Sequence, residues 1–338
     1  MKQILIALIG TTLATSVFGQ EDRDHIQGII DTHILPGFET LAIRSENLAR
    51  VSSFDCSASS ISLRSAYAAA FDAWLAVSHL SFGPAAIDDR AYALAFWPDT
   101  RGATPKVLRD LIRKNDPIAL RPEDYTDVSI AARGFYALEF LIYDRELSKT
   151  GDDEYRCKLV QTITEDIENL AASIHADWQN EYAKLLLSTS SEGPYRSHSE
   201  ALQQLFKALT TGLQFTSEAR LGRPLGTFER PRPKRAEAWR SGRSGRHVMI
   251  SLAGLRDMAI LLAPEGSVLE KRLGLAFERA LSQLAAVDDP VFSGVAAPQT
   301  RIKIEIVQQS VEAIRSLVRD ELGPELGVSA GFNAMDGD

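Results

Sequence analysis

Apolar residues recur at helical spacing along almost the whole of this chain, and the strict alternation that half-buried strands require is scarce. In residues 22–51 the stripe runs through Ile26, Ile29, Ile30, His33, Ile34, Phe38 and Leu41. In residues 58–81 it runs through Leu63, Tyr67, Ala70, Phe71, Trp74, Val77 and Leu80. The same period predicts helices near 104–114, 127–143, 152–187, 199–220, 236–262, 266–287 and 299–322. Pro36 should kink or split the first helix, and Phe82-Gly83-Pro84 should end the second. Helices in this number divide naturally into two groups of four, so the pattern predicts an all-α fold of two four-helix-bundle domains. The Ser-, Gly- and Pro-rich segment from Ser188 to Ser199 marks the expected boundary, giving an N-terminal bundle over 20–190 and a C-terminal bundle over 191–338.

The N-terminus has a different character. Met1-Lys2 is followed by an apolar run from Ile4 to Ile9 and then by small residues up to Gly19. A short positive start, an apolar stretch and a small-residue exit make a secretory signal peptide over 1–19, with Val17-Phe18-Gly19 as the cleavage site. The apolar run is shorter than the roughly 20 residues that a bilayer requires. A buried N-terminal helix is the alternative, although the polar break from Gln20 to Asp24 ends the apolar character abruptly. No later stretch is apolar enough to span a membrane, so the expected location is the periplasm. The formal net charge of −8 argues against nucleic acid as a partner. An even count of two cysteines, Cys56 and Cys157, suits one disulfide in an oxidising compartment; two separately buried thiols are the alternative.

No catalytic constellation is visible. No two of the six histidines are spaced as a His-Glu-x-x-His zinc helix requires, and neither a Gly-x-Ser-x-Gly elbow nor a phosphate loop occurs. The most unusual segment is Gly134 to Tyr143, an apolar helical run with one carboxylate, Glu139, inside it. A buried carboxylate must find a donor, a cation or a metal, or else take up a proton. Tyr136 stands three residues earlier on the same helix face. A phenol and a carboxylate are hard oxygen donors suited to Fe(III); a Glu139–Arg ion pair is the plainer alternative. His33 and His79 lie on apolar helix faces and join a metal site only if the fold brings them to Glu139. Nine basic residues fall between Arg220 and Arg246, a local positive patch on an acidic protein. Within it, Arg240 and Arg243 lie three positions apart beside Trp239, placed to grip a carboxylate or an anionic chelate; a solvated loop whose charges aid solubility is the alternative, above all for the Pro-rich part.

Several blocks together resemble the imelysin-like family of exported bacterial proteins. They are Phe71-Asp72-Ala73-Trp74 with His79 to Pro84, Phe96-Trp97-Pro98-Asp99, the Gly134–Tyr143 segment, and Thr211-Gly212-Leu213 with Gly222 to Gly226 and Ala238 to Ser244; the ending Gly331 to Asp338 also fits. The resemblance implies two helical bundles with a site between them. The family's name comes from a membrane-associated metallopeptidase classification, yet many relatives are linked to periplasmic iron uptake and some to haem-containing oxidoreductases. Its proposed metal motif is Gly-x-His-x-x-Glu. This chain matches it at Gly134 and Glu139 but carries Tyr136 in place of the histidine. A neutral phenol is a poor zinc ligand, and catalytic zinc normally needs three protein ligands. The resemblance therefore implies a protein that binds iron or a ferric chelate rather than a peptidase. Glu139, Tyr136, His33 and His79 are its candidate metal ligands, and Trp97, Trp239, Arg240 and Arg243 its candidate contacts to a ligand. A periplasmic or inner-membrane transport or redox protein is the expected partner. A metallopeptidase and a non-catalytic scaffold, docking through the Trp97 loop and the basic loop, are the alternatives.

Overall fold

The computed structural model describes residues 11–328, with side chains from residue 20 onward; no strand occurs among them. The first ten residues of the expected signal peptide and the Gly331–Asp338 ending lie outside the described residues.

Helix α1 (Thr11–Ile29) runs through a π turn, Ile30–Ile34, directly into α2 (Leu35–Phe54). The break expected at Pro36 does not occur. The proline lies in the first turn of α2, where the wider π turn has already shifted the hydrogen-bond register and the missing N–H does no harm. Helix α3 (Ile61–Val77) starts at Ser60, whose hydroxyl accepts from the Leu63 N–H at 3.2 Å. The short α4 (Arg90–Leu94) and α5 (Ala103–Lys114) follow. Helix α6 (Gly134–Tyr143) is shorter than the predicted 127–143, because 3-10 turns occupy Pro122–Asp127 and Ile130–Ala132.

Helix α7 (Asp153–Asp177), capped by Asp152, passes through a π turn at Trp178–Tyr182 into α8 (Ala183–Leu187). Helix α9 (His198–Phe215) is capped by Ser197 and ends in a further π turn, Thr216–Leu221, leading to α10 (Gly222–Leu225). Helix α11 (Ser244–Leu262) begins eight residues later than the predicted 236, since the chain from Ala236 to Arg243 folds back as a turn. Helices α12 (Val268–Ala285), α13 (Pro298–Leu317) and α14 (Gly323–Glu325) complete the chain.

Helix α2 packs against both α3 and α7, with α6 on α7; α12 packs against both α11 and α13, with α9 on α11. These groups meet along several helices. Helix α11 lies along α3, and α1 reaches over to α9 and α11. The α3–α11 approach is close because Gly254 has no Cβ: one placed there would stand 2.2 Å from the Ala76 carbonyl oxygen. At the heart of the first group Phe71 of α3 stacks on Phe135 of α6, ring centroids 4.5 Å apart. Both rings are fully buried, each contributing roughly 1.5–3 kcal/mol by area. A disulfide joins Cys56 to Cys157, the end of α2 to the start of α7, with the Cα atoms 5.1 Å apart.

Candidate functional site

Helix α6 is apolar on every side, so its interior carboxylate has nowhere to go but inward. Every residue from Gly134 to Ile142 is buried, Glu139 among them at 2% exposure. Its compensator comes from the folded-back turn before α11. Glu139 Oε1 accepts from the Ser241 backbone N–H at 2.9 Å and from the Ser241 hydroxyl at 2.7 Å. Burial raises the Glu139 pKa; these two hydrogen bonds and the nearby Arg240 oppose the rise without cancelling it.

Tyr136 does not turn to Glu139. Its hydroxyl donates a short hydrogen bond to Glu237, a carboxylate on the same folded-back segment. Glu237 is 2% exposed and is held by Arg220, whose Nε donates to Oε2 at 2.8 Å. The same guanidinium donates to Ser251 Oγ at 3.0 Å and Thr216 Oγ1 at 3.3 Å, and His247 Nδ1 lies 3.3 Å from Glu237 Oε2. Burial alone would raise the Glu237 pKa, but Arg220, His247 and the Tyr136 hydroxyl outweigh it and lower it to about 2. Burial first, and Glu237 second, push the Tyr136 phenol well up, so Tyr136 stays protonated. Two buried glutamates, one on α6 and one on the turn before α11, therefore sit in opposite electrostatic settings.

Two cavities flank this cluster, and Trp97 and Tyr136 line both. The inner one, about 280 Å³, has walls of Trp74, Trp97 and Phe215 and takes in His79, Arg220 and Glu237. The outer one, about 180 Å³, holds Glu139 and Trp239 and is edged by Arg223, Lys234, Arg235 and Arg240. Arg240 is spoken for: it donates to Asp144 at 3.0 Å and lies over the rings of Phe140 and Trp239. Arg223, Lys234 and Arg235 form no ion pair among the described residues, and Arg223 Nε is buried without a hydrogen-bond partner. Burial, then the adjacent Arg235, lower the Arg223 pKa, and its guanidinium lies over the Trp97 ring.

Of the residues singled out from sequence, Tyr136, Glu139, Trp97, Trp239 and Arg240 meet at the outer cavity. Arg243 does not face it; its guanidinium is drawn to Asp72 on α3, which also takes Arg246 at 2.6 Å. His33 and His79 pair with each other instead, Nε2 to Nε2 at 3.0 Å. Among the described residues no three His, Cys, Asp or Glu side chains converge as a metal-holding group. Sequence reasoning missed Glu237. The one available signal was its being one of two acids, with Glu229, inside the basic stretch from Arg220 to Arg246.

Comparison with known proteins agrees with this architecture. The Imelysin family model matches residues 34–318. The chain is 21% identical to the iron-regulated protein A of Synechococcus elongatus, across 88% of this chain and 85% of that protein. A solved imelysin-like protein from Psychrobacter arcticum superposes with a TM-score of 0.78 at 20% identity, covering 97% of this chain and all of that one, a likeness of fold. With a family match spanning everything from the π turn before α2 to the π turn after α13, this chain belongs to the imelysin family.

Proposed function

We propose that the protein is an exported imelysin that binds an anionic iron complex, a ferric polycarboxylate, in the outer cavity. The relative named as iron-regulated supports the iron-related role. The observation that carries the ligand class is the set of uncompensated cations Arg223, Lys234 and Arg235 around a cavity walled by Trp97 and Trp239. On a chain of net charge −8 such a cluster is a local positive field that attracts an anion.

A bare ferric ion suits the site less well. Tyr136 would have to give up its proton and its bond to Glu237, and Glu139 its two bonds to Ser241. A chelate brings its own donors to the metal and presents carboxylates outward, where guanidinium and ammonium groups bind them. In this reading Arg223, Lys234 and Arg235 hold the chelate's charge, while Trp97 and Trp239 cover its flat faces. Glu139, held by Ser241, forms the floor. Residues 20–190 and 191–338 act as two bundles with the ligand seated where they meet. The signal peptide over 1–19 and the disulfide fit delivery to an oxidising periplasm, and a transport or redox protein at the inner membrane would receive the iron.

Titration of the protein with ferric citrate, followed by tryptophan fluorescence, tests the reading. Quenching should saturate at one complex per chain, and the Arg223→Ala/Lys234→Ala variant should bind at least tenfold more weakly with an unchanged melting temperature. Equal binding by the variant would defeat it.

A further inference from the structure

We propose that the inner cavity is a second binding site, a seat for a neutral one-ring phenol, separate from the chelate site in the outer cavity. Its walls are largely aromatic. Trp74, Trp97, Tyr136 and Phe215 line it, with Trp97 and Phe215 edge to face at 5.7 Å between ring centroids. Its volume of about 280 Å³ lies at the small end of ligand pockets, which run from roughly 300 Å³ upward, and so suits a single ring. The lining passes from the exposed Ser81 and Tyr92 to the buried His79 and Glu237, so a ligand enters at the first end and its leading group meets the second.

Two buried polar atoms of the lining residues have no hydrogen-bond partner among the described residues. One is His79 Nδ1, on a side chain only 6% exposed, and the other is Thr211 Oγ1. Both belong to one helix contact. Helix α9 carries Thr211 and Gly212 up to His79, and a Cβ at Gly212 would stand 2.8 Å from the His79 Cβ. Buried groups of this kind are costly without a partner. His79 Nε2 is engaged with His33 at 3.0 Å, so Nδ1 accepts if Nε2 donates in that pair and donates if Nε2 accepts. A hydroxyl answers either tautomer and pairs with the Thr211 hydroxyl as well, whereas a carboxylate only accepts and an ammonium only donates. Charge is disfavoured on a second ground. The Arg220 guanidinium is already bound to Glu237 at 2.8 Å. Burial, then His33 and Arg220, hold the His79 pKa well below its ordinary value, so that ring is neutral. Neither sign of charge therefore finds a free counter-ion among the residues lining the cavity. A phenol meets the polar atoms and the aromatic walls at once, while water meets only the first.

The test uses the full chain at neutral pH with para-fluorophenol, followed by its fluorine resonance. Binding should saturate at one per chain. Its affinity should be at least tenfold above that of fluorobenzene, which has the ring without the hydroxyl, and of para-fluorobenzoate, which has the charge. Thr211→Val removes a hydroxyl and keeps the shape, and should weaken binding at least threefold. A thermal melt reports whether that variant folds. If it does not, the three probes on the unaltered protein decide alone. Crystals soaked in para-bromophenol should show the bromine anomalous peak in the inner cavity. The proposal is overturned by absence of saturable binding, by equal affinity for fluorobenzene, by tighter binding of the benzoate, by unchanged affinity in a folded Thr211→Val, or by bromine outside that cavity. Thr211 lines the inner cavity and not the outer one, so this seat and the chelate site fail or stand separately.

Discussion

Glu139 and Glu237 are equally buried, yet the protein treats their charges oppositely. Glu237 is a compensated anion. Removing its charge in Glu237→Gln strands Arg220 in the interior, and the expected cost is about 3–5 kcal/mol in urea unfolding. Its folded pKa is depressed to about 2, so its stabilisation is complete above the ordinary carboxylate range and is lost as pH falls from there to about 2. Glu139 is the reverse. Its folded pKa is raised, so its contribution is present below the ordinary range and is lost as pH rises through the folded value. Glu139→Gln keeps a carbonyl oxygen for Ser241, and at neutral pH it should be neutral or stabilising by up to ~1 kcal/mol. Opposite signs for the two variants in one set of melts would confirm the assignment; matching losses would refute it. Glu139 was legible in the sequence because its neighbours are all apolar. Glu237 was not, because its burial depends on a turn that brings it to Arg220 from seventeen positions away.

At the scale of elements, period gave the helices but not their interruptions. A π turn widens one turn of an otherwise continuous helix, so the segments through Ile30–Ile34 and Thr216–Leu221 read as unbroken helix from period alone, yet these turns carry His33 and Arg220. Helix α11 was read too early because Ala236, Ala238 and Trp239 extend its apolar period, although Ala236 to Arg243 lie outside the helix. Close helix contacts were equally hidden. Gly254→Ala would press on the Ala76 carbonyl and part α3 from α11, costing roughly 1–3 kcal/mol. Gly134→Ala should cost at least as much: the glycine sits at φ +71°, and a Cβ would lie 2.1 Å from the Ala93 carbonyl oxygen. Chemical denaturation of each variant checks both. The cysteine pairing expected from the even count is present, closing a loop with a sequence separation of 101. Reduction should lower stability by up to about 4–5 kcal/mol, read as a fall in melting temperature with dithiothreitol.

Across the whole molecule the all-α architecture could be read from the sequence alone, whereas the working surface could not. That surface arises where α6 of the first half meets the turn before α11 of the second, so its residues are about a hundred positions apart along the chain. An acidic protein gathers several cations at the edge of this crevice, so ferric citrate should bind faster at low ionic strength than at high. The seat of the iron is the central claim, and anomalous diffraction at the iron edge from crystals soaked in ferric citrate tests it most directly. The account predicts one iron peak in the cavity edged by Arg223, Lys234 and Trp239, with Tyr136 still bonded to Glu237. A peak bonded to the Tyr136 oxygen, or iron seated away from that cavity, would contradict it.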